Sequence, residues 1–256
     1  MLSSGLAGQE RSDYLLAGRA VVINGFVGER LRLSAENRVF AQDVARLVEP
    51  FRHRDEERCW QTEFWGKWFT SAVLAYKYHP SDSAMIMLDK AVSDLMETQT
   101  SDGYIGNYKP SKLLEQWDIW GRKYCMLGLL AWYDVKKDRK ILVAASRVAD
   151  NLLSDLAAAD DVIVTKGNHR GMAASSVLEP LCLLYNAGGN KKYLEAAKKI
   201  VAQWETPVGP QLISKASLNV AERFPKPTPS KWFGPEQGQK SYEMMSCYEG
   251  LLELYR

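Results

Sequence analysis

Ala72-Val-Leu-Ala-Tyr76, Leu129-Leu-Ala-Trp-Tyr133, Leu181-Cys-Leu-Leu-Tyr185 and Leu251-Leu-Glu-Leu-Tyr255 are four apolar tracts that each end in tyrosine, at intervals of 57, 52 and 70 residues. Five residues after each of the first three tyrosines stands a helix-capping residue: Ser81, Asp138 and Asn190. Apolar residues follow each cap at +4, +7, +10 and +11: Met85, Leu88, Ala91, Val92; Leu142, Ala145, Val148, Ala149; Leu194, Ala197, Ile200, Val201. That spacing is one face of an α-helix. The repeating unit is therefore an apolar helix, a short turn and an amphipathic helix around a shared core. The fourth unit stops at Arg256 without its second helix.

The same reading places helices at roughly 62–78, 83–98, 117–135, 139–154, 170–186, 191–205 and 241–255. An earlier one runs over 36–51, with Phe40, Val44, Leu47, Val48 and Phe51 on one face. Residues 1–35 read as a leader followed by extended chain around Gly25 and Gly28, and 36–256 as one all-α domain. The proline-rich link 206–240 carries Phe224, Trp232 and Phe233, which argues against disorder.

Bulk composition narrows the function. Net charge is +2 and no basic run is long enough for a nucleic-acid stripe. No stretch reaches the length of a membrane span. Met1 to Arg19 lacks an apolar core behind a basic start, so the chain as given reads as cytoplasmic, with a periplasmic or secreted location open if it is processed. Cys59, Cys125, Cys182 and Cys247 are scattered and form neither a disulfide framework nor a zinc spacing. Eight tryptophans and twelve tyrosines are many for 256 residues, and they suit either a helical core or stacking platforms for sugars.

If the hairpins curl, the first helix of each unit lines the inside, and all inner helices run the same way. Their N-terminal ends then converge on one face. Polar and aromatic residues meet there: Trp60, Glu63 and Lys67; Trp117, Asp118, Trp120 and Arg122; His169 and Arg170; Tyr242 and Glu243. Glu63 and Asp118 are equally natural as first-turn carboxylates favoured by the helix dipole, and Asp118/Arg122 as an i,i+4 surface pair. His169 alone at a helix start reads more simply as structural. Asp102, in an Asp-Gly turn, is a candidate for substrate contact. Glu222, beside Phe224, and Glu243 form a carboxylate pair of the kind glycoside hydrolysis needs, one proton donor and one partner. Spacing alone equally allows a Glu222/Arg223 surface pair.

The chain resembles glycoside hydrolase family 127, the β-L-arabinofuranosidase-like group with an (α/α)6 toroid. The resemblance is carried by Val21-Val-Ile-Asn-Gly25-Phe26-Val-Gly-Glu-Arg30-Leu31, Lys67-Trp68, Thr98-Gln99, Asp102-Gly103-Tyr104-Ile105-Gly106, Glu222-Arg223-Phe224 and Ser241-Tyr242-Glu243 through Cys247-Tyr248. It implies a partial, incomplete (α/α)6 ring of hairpins and a carbohydrate substrate. It further implies that Glu222 is the general acid/base and that Glu243 is a zinc ligand. The usual cysteine two residues after that glutamate is Met245 here, and Cys247 lies about 160° away around the helix, which argues against zinc held in the family's manner. Tyr124 stands where a sugar-binding histidine is expected. The family's nucleophilic cysteine falls beyond Arg256, so the isolated chain is expected to have little or no activity. An incomplete ring also exposes inner-helix surface, which favours self-association. A sugar epimerase or unsaturated glycuronyl hydrolase on an α/α toroid, using His169, is the alternative enzyme. An α-solenoid binding protein partners is the alternative outside catalysis.

Overall fold

The computed structural model describes residues 21–223 and 240–256. The leader 1–18 and Phe224, Trp232 and Phe233 of the link lie outside the described residues. Three helical hairpins dominate: α3 (Glu63–Tyr78) with α4 (Asp82–Met96), α5 (Asp118–Lys136) with α6 (Arg139–Ala158), and α8 (Leu178–Gly188) with α9 (Lys191–Trp204). Helix α11 (Ser241–Tyr255) packs on α8. The three capping residues act as the sequence requires. Ser81 Oγ accepts from the Ala84 amide at 3.2 Å, Asp138 from Lys140 at 2.9 Å and Asn190 from Lys192 at 3.2 Å. In the second and third hairpins the turn is a left-handed residue, Lys137 or Gly189, followed directly by the cap. Chain reversal in so few residues forces the paired helices antiparallel.

The inner helices α3, α5, α8 and α11 contact one another in that order. Glycine sets the closest approach: a Cβ on Gly66 would lie 2.3 Å from the Tyr124 carbonyl oxygen, and one on Gly250 would lie 2.8 Å from the Glu179 amide. The interhelical core includes Trp65 stacked on Phe69 at 4.6 Å, with Trp132 edge-on at 6.2 Å. Each fully buried ring contributes roughly 2–3 kcal/mol of transfer free energy. Ala91, Val92, Ala145, Val148, Ala149 and Ala197 are buried beneath the outer helices, as their spacing predicts.

Three expectations change. Residues 25–34 form helix α1 (Gly25–Ser34), not extended chain. The two glycines serve a tight entry: Gly25 has φ +68°, and Ile23 folds back so that its carbonyl oxygen occupies the place of a Gly28 Cβ. Arg32 then pairs with Glu29 and Glu36, each at 2.6 Å. The helix expected over 36–51 is broken, because Asp43 caps Arg46 at 3.1 Å and starts a new helix, α2 (Val44–Val48). The helix expected over 170–186 is divided into α7 (Met172–Ser175) and α8. Pro180 has no amide hydrogen and its ring crowds the carbonyl at Ser176, so an unbroken helix cannot pass. A short α10 (Val220–Arg223) appears within the link. No strand occurs among the described residues, only the isolated bridge Glu56–Tyr108. None of their helices is long and apolar enough to cross a membrane.

Candidate active site

A cleft of about 220 Å³ opens at the N-terminal ends of α3, α5 and α11. It is lined by Trp60, Glu63, Lys67, Trp117, Trp120, Lys240, Tyr242 and Glu243. Parallel inner helices bring these groups together from positions as far apart in sequence as Trp60 and Glu243. The rings form a chain of edge contacts: Trp60 to Trp117 at 6.1 Å, Trp117 to Trp120 at 5.9 Å and Trp120 to Tyr242 at 5.6 Å. Trp60 is 42% exposed, whereas Trp117 and Trp120 are buried.

Glu63 is fully engaged. It accepts from Trp120 Nε1 and pairs with Lys67 Nζ at 2.9 Å. That ammonium also lies 4.8 Å from the Tyr242 ring and 5.1 Å from the Tyr124 ring. The two phenols are hydrogen-bonded to each other at 2.7 Å. Lys123, which the sequence did not single out, is buried between Trp120 and Tyr124 and lies 3.5 Å from Glu179. Nothing in the local sequence distinguishes it from a surface lysine.

Glu243 stands in the first turn of α11, 4% exposed, and burial raises its carboxyl above the usual range. One oxygen lies 3.8 Å from His169 Nε2; Oε2 has no hydrogen-bond partner. His169 is fully buried, 5.4 Å from the Trp117 ring. Its segment is bent sharply: Gly167, His169, Arg170 and Gly171 all have φ between +55° and +73°. Left-handed backbone at two consecutive non-glycine residues is costly and here sets the imidazole between Trp117 and Glu243.

The remaining candidates sit elsewhere. Asp118 and Arg122 are buried away from the cleft as an ion pair at 2.7 Å. Tyr104 hydroxyl and the Leu114 amide donate to Asp118 at 2.8 and 2.9 Å, and Arg122 reaches Asn151 at 2.8 Å and Asp155 at 2.7 Å. Asp102 joins the rim of this network through Asn151 at 3.0 Å. These three carboxylate and guanidinium groups tie the α4–α5 connection to α5 and α6. Arg170 is half-buried and does not line the cleft. Glu222 is exposed on α10 and bonded to Asn219 at 3.3 Å; it does not line the cleft either. Its neighbour Arg223 anchors α10 to Tyr248 of α11 at 3.3 Å.

The described residues do not fit a zinc–thiolate site at Glu243. Met245 is 56% exposed, and Cys247 is buried with its thiol donating to the Met172 carbonyl at 3.3 Å.

Residues 17–225 match the beta-L-arabinofuranosidase, GH127 catalytic domain. The chain belongs to glycoside hydrolase family 127. Similar solved structures include a GH127 beta-L-arabinofuranosidase from Geobacillus stearothermophilus T6, with 14% identity, TM-score 0.56, and coverage of 78% of this chain and 35% of that one. Another GH127 beta-arabinofuranosidase has 18% identity, TM-score 0.59, and coverage of 93% and 40%. At these identities the likeness establishes the helical toroid-like fold. The chain spans little more than a third of the length of these proteins. No curated protein matches it by sequence.

Proposed function

We propose that the chain forms part of a glycosidase acting on glycans that carry β-L-arabinofuranosyl groups, and that the aromatic cleft is a sugar subsite. The observation that carries this reading is the convergence of four aromatic rings and two carboxylates on one cleft, in a chain of this family. Indole rings suit the flat apolar face of a sugar ring, and a buried carboxylate suits its hydroxyls. In this reading Glu222 keeps the acid/base role by resemblance alone, since its carboxyl lies outside the cleft, bonded to Asn219. Saturable binding of an aryl β-L-arabinofuranoside, followed by fluorescence and weakened about tenfold by Trp60→Ala, is expected. Absence of saturable binding to this and other glycosides would refute the subsite. Sugar release that survives Glu222→Gln would remove Glu222 from the chemistry. We further propose self-association through the groove beside the cleft, where Leu74 is exposed.

The 3.8 Å approach of His169 to Glu243 favours a second reading, proton transfer on a sugar by a His/Glu pair as in an epimerase. Activity lost in His169→Ala but kept in Glu222→Gln would select it.

A further inference from the structure

Building on the carbohydrate reading of the cleft, we infer that Trp117 and Glu243 grip one and the same sugar hydroxyl, the indole N–H donating to its oxygen and the carboxylate accepting its hydrogen.

Both residues line the cleft, and both are more than nine-tenths buried. Each carries a polar atom without a partner: Nε1 of Trp117 is a donor lacking an acceptor, and Oε2 of Glu243 is an acceptor lacking a donor. Such groups are costly to leave buried and unbonded, so each calls for a partner that the neighbouring side chains do not supply. Both also border one imidazole: His169 lies 5.4 Å from the Trp117 ring and 3.8 Å from Glu243. A hydroxyl is the sugar group that donates and accepts at once. An ether or carbonyl oxygen would satisfy only Trp117, and an ammonium only Glu243. Glu63, the other carboxylate of the cleft, is already engaged by Trp120 and Lys67. The assignment gives Glu243 a role that needs no metal, in keeping with the exposed Met245 and the engaged thiol of Cys247.

The test is calorimetric titration of the whole 256-residue chain, in buffer containing a chelator, with methyl β-L-arabinofuranoside and its 2-, 3- and 5-deoxy analogues. Wild type is expected to bind the parent and to lose about tenfold in affinity for one deoxy analogue. Trp117→Phe and Glu243→Gln should each weaken the parent about tenfold, leave that analogue unaffected, and together cost less than the product of their separate effects. The deoxy series on wild type decides the matter alone if a variant fails to fold. If the parent binds but every deoxy analogue matches it within about twofold, or if the two variants multiply, the shared hydroxyl is wrong and the subsite survives. If added zinc tightens binding in wild type and not in Glu243→Gln, Glu243 is a metal ligand and the inference falls. If the chain binds no glycoside, the inference falls with the carbohydrate reading.

Discussion

Replacing Arg122 by methionine separates the two roles that the sequence left open for the start of α5. In the structure Asp118 and Arg122 are both fully buried in side chain and paired at 2.7 Å, with Arg122 also bonded to Asn151 and Asp155. Methionine keeps most of the volume but leaves Asp118 as a buried carboxylate held only by Tyr104 hydroxyl and the Leu114 amide. Breaking a buried pair from one side costs about 3–5 kcal/mol. Tyr104→Phe removes one charge-assisted bond to the same carboxylate, about 1.5–3 kcal/mol, and also takes the acceptor from the buried Tyr108 amide. For a chain of this size the first change corresponds to a fall in Tm on the order of 10 °C. Urea unfolding followed by tryptophan fluorescence measures both, and ligand titration below the transition measures the cleft. The expected pattern is a clear stability loss for both variants, with cleft affinity within about twofold of wild type. If Arg122→Met unfolds within about 1 kcal/mol of wild type, or if it abolishes binding while stability is unchanged, the pair is not structural and the reasoning is wrong.

Gly66→Ala should destabilise the fold by about 1–3 kcal/mol, because the new Cβ meets a backbone carbonyl that cannot move without shifting α5; unchanged unfolding would show that the α3/α5 contact is looser than described. Glu56 gives a pH-dependent expectation. Burial raises its carboxyl pKa, but hydrogen bonds from the Arg58, Cys59 and Glu57 amides outweigh burial and leave it below the usual 4.5. Its stabilisation is therefore present above the unfolded-state value and lost as the pH falls through the folded-state value. The stability gap between wild type and Glu56→Gln should be widest near neutrality and close on acidification below about pH 4.5, and a gap independent of pH would contradict this.

The hairpins were legible because each turn is specified locally. A capping side chain followed by a 3.6-residue apolar period has few alternatives, and Ser81, Asp138 and Asn190 behave as read. The convergence of inner-helix starts followed from topology alone, since short turns within units leave the long links on one face. The errors arose where local chemistry competes. Asp43 is a cap inside an apolar period, and Pro180 interrupts a helix whose pattern continues through it. Gly25 and Gly28 equally suit a strand break or a tight helix entry, and the backbone of Ile23 decides between them.

Within α5 the difficulty is of another kind. Asp118 and Arg122 share one side of the helix, and Trp120 and Tyr124 share the other, because residues two apart lie about 160° from each other. An amphipathic helix would reveal which side meets solvent, but Asp118 to Met126 are buried all round, so no polarity difference marks the cleft side. Only neighbours distant in sequence settle it. Asn151 and Asp155 on α6 claim the acidic and basic pair, while Glu63, Lys67 and Tyr242 claim the aromatic pair. The charged candidates of α5, Asp118 and Arg122, are therefore the ones the fold consumes. Of the rings on the other side, Trp120, a candidate from the sequence, lines the cleft, and Tyr124 packs beside it. At this mouth the polar atoms that the fold leaves unsatisfied include Trp117 Nε1, just before α5, and Glu243 Oε2, on α11.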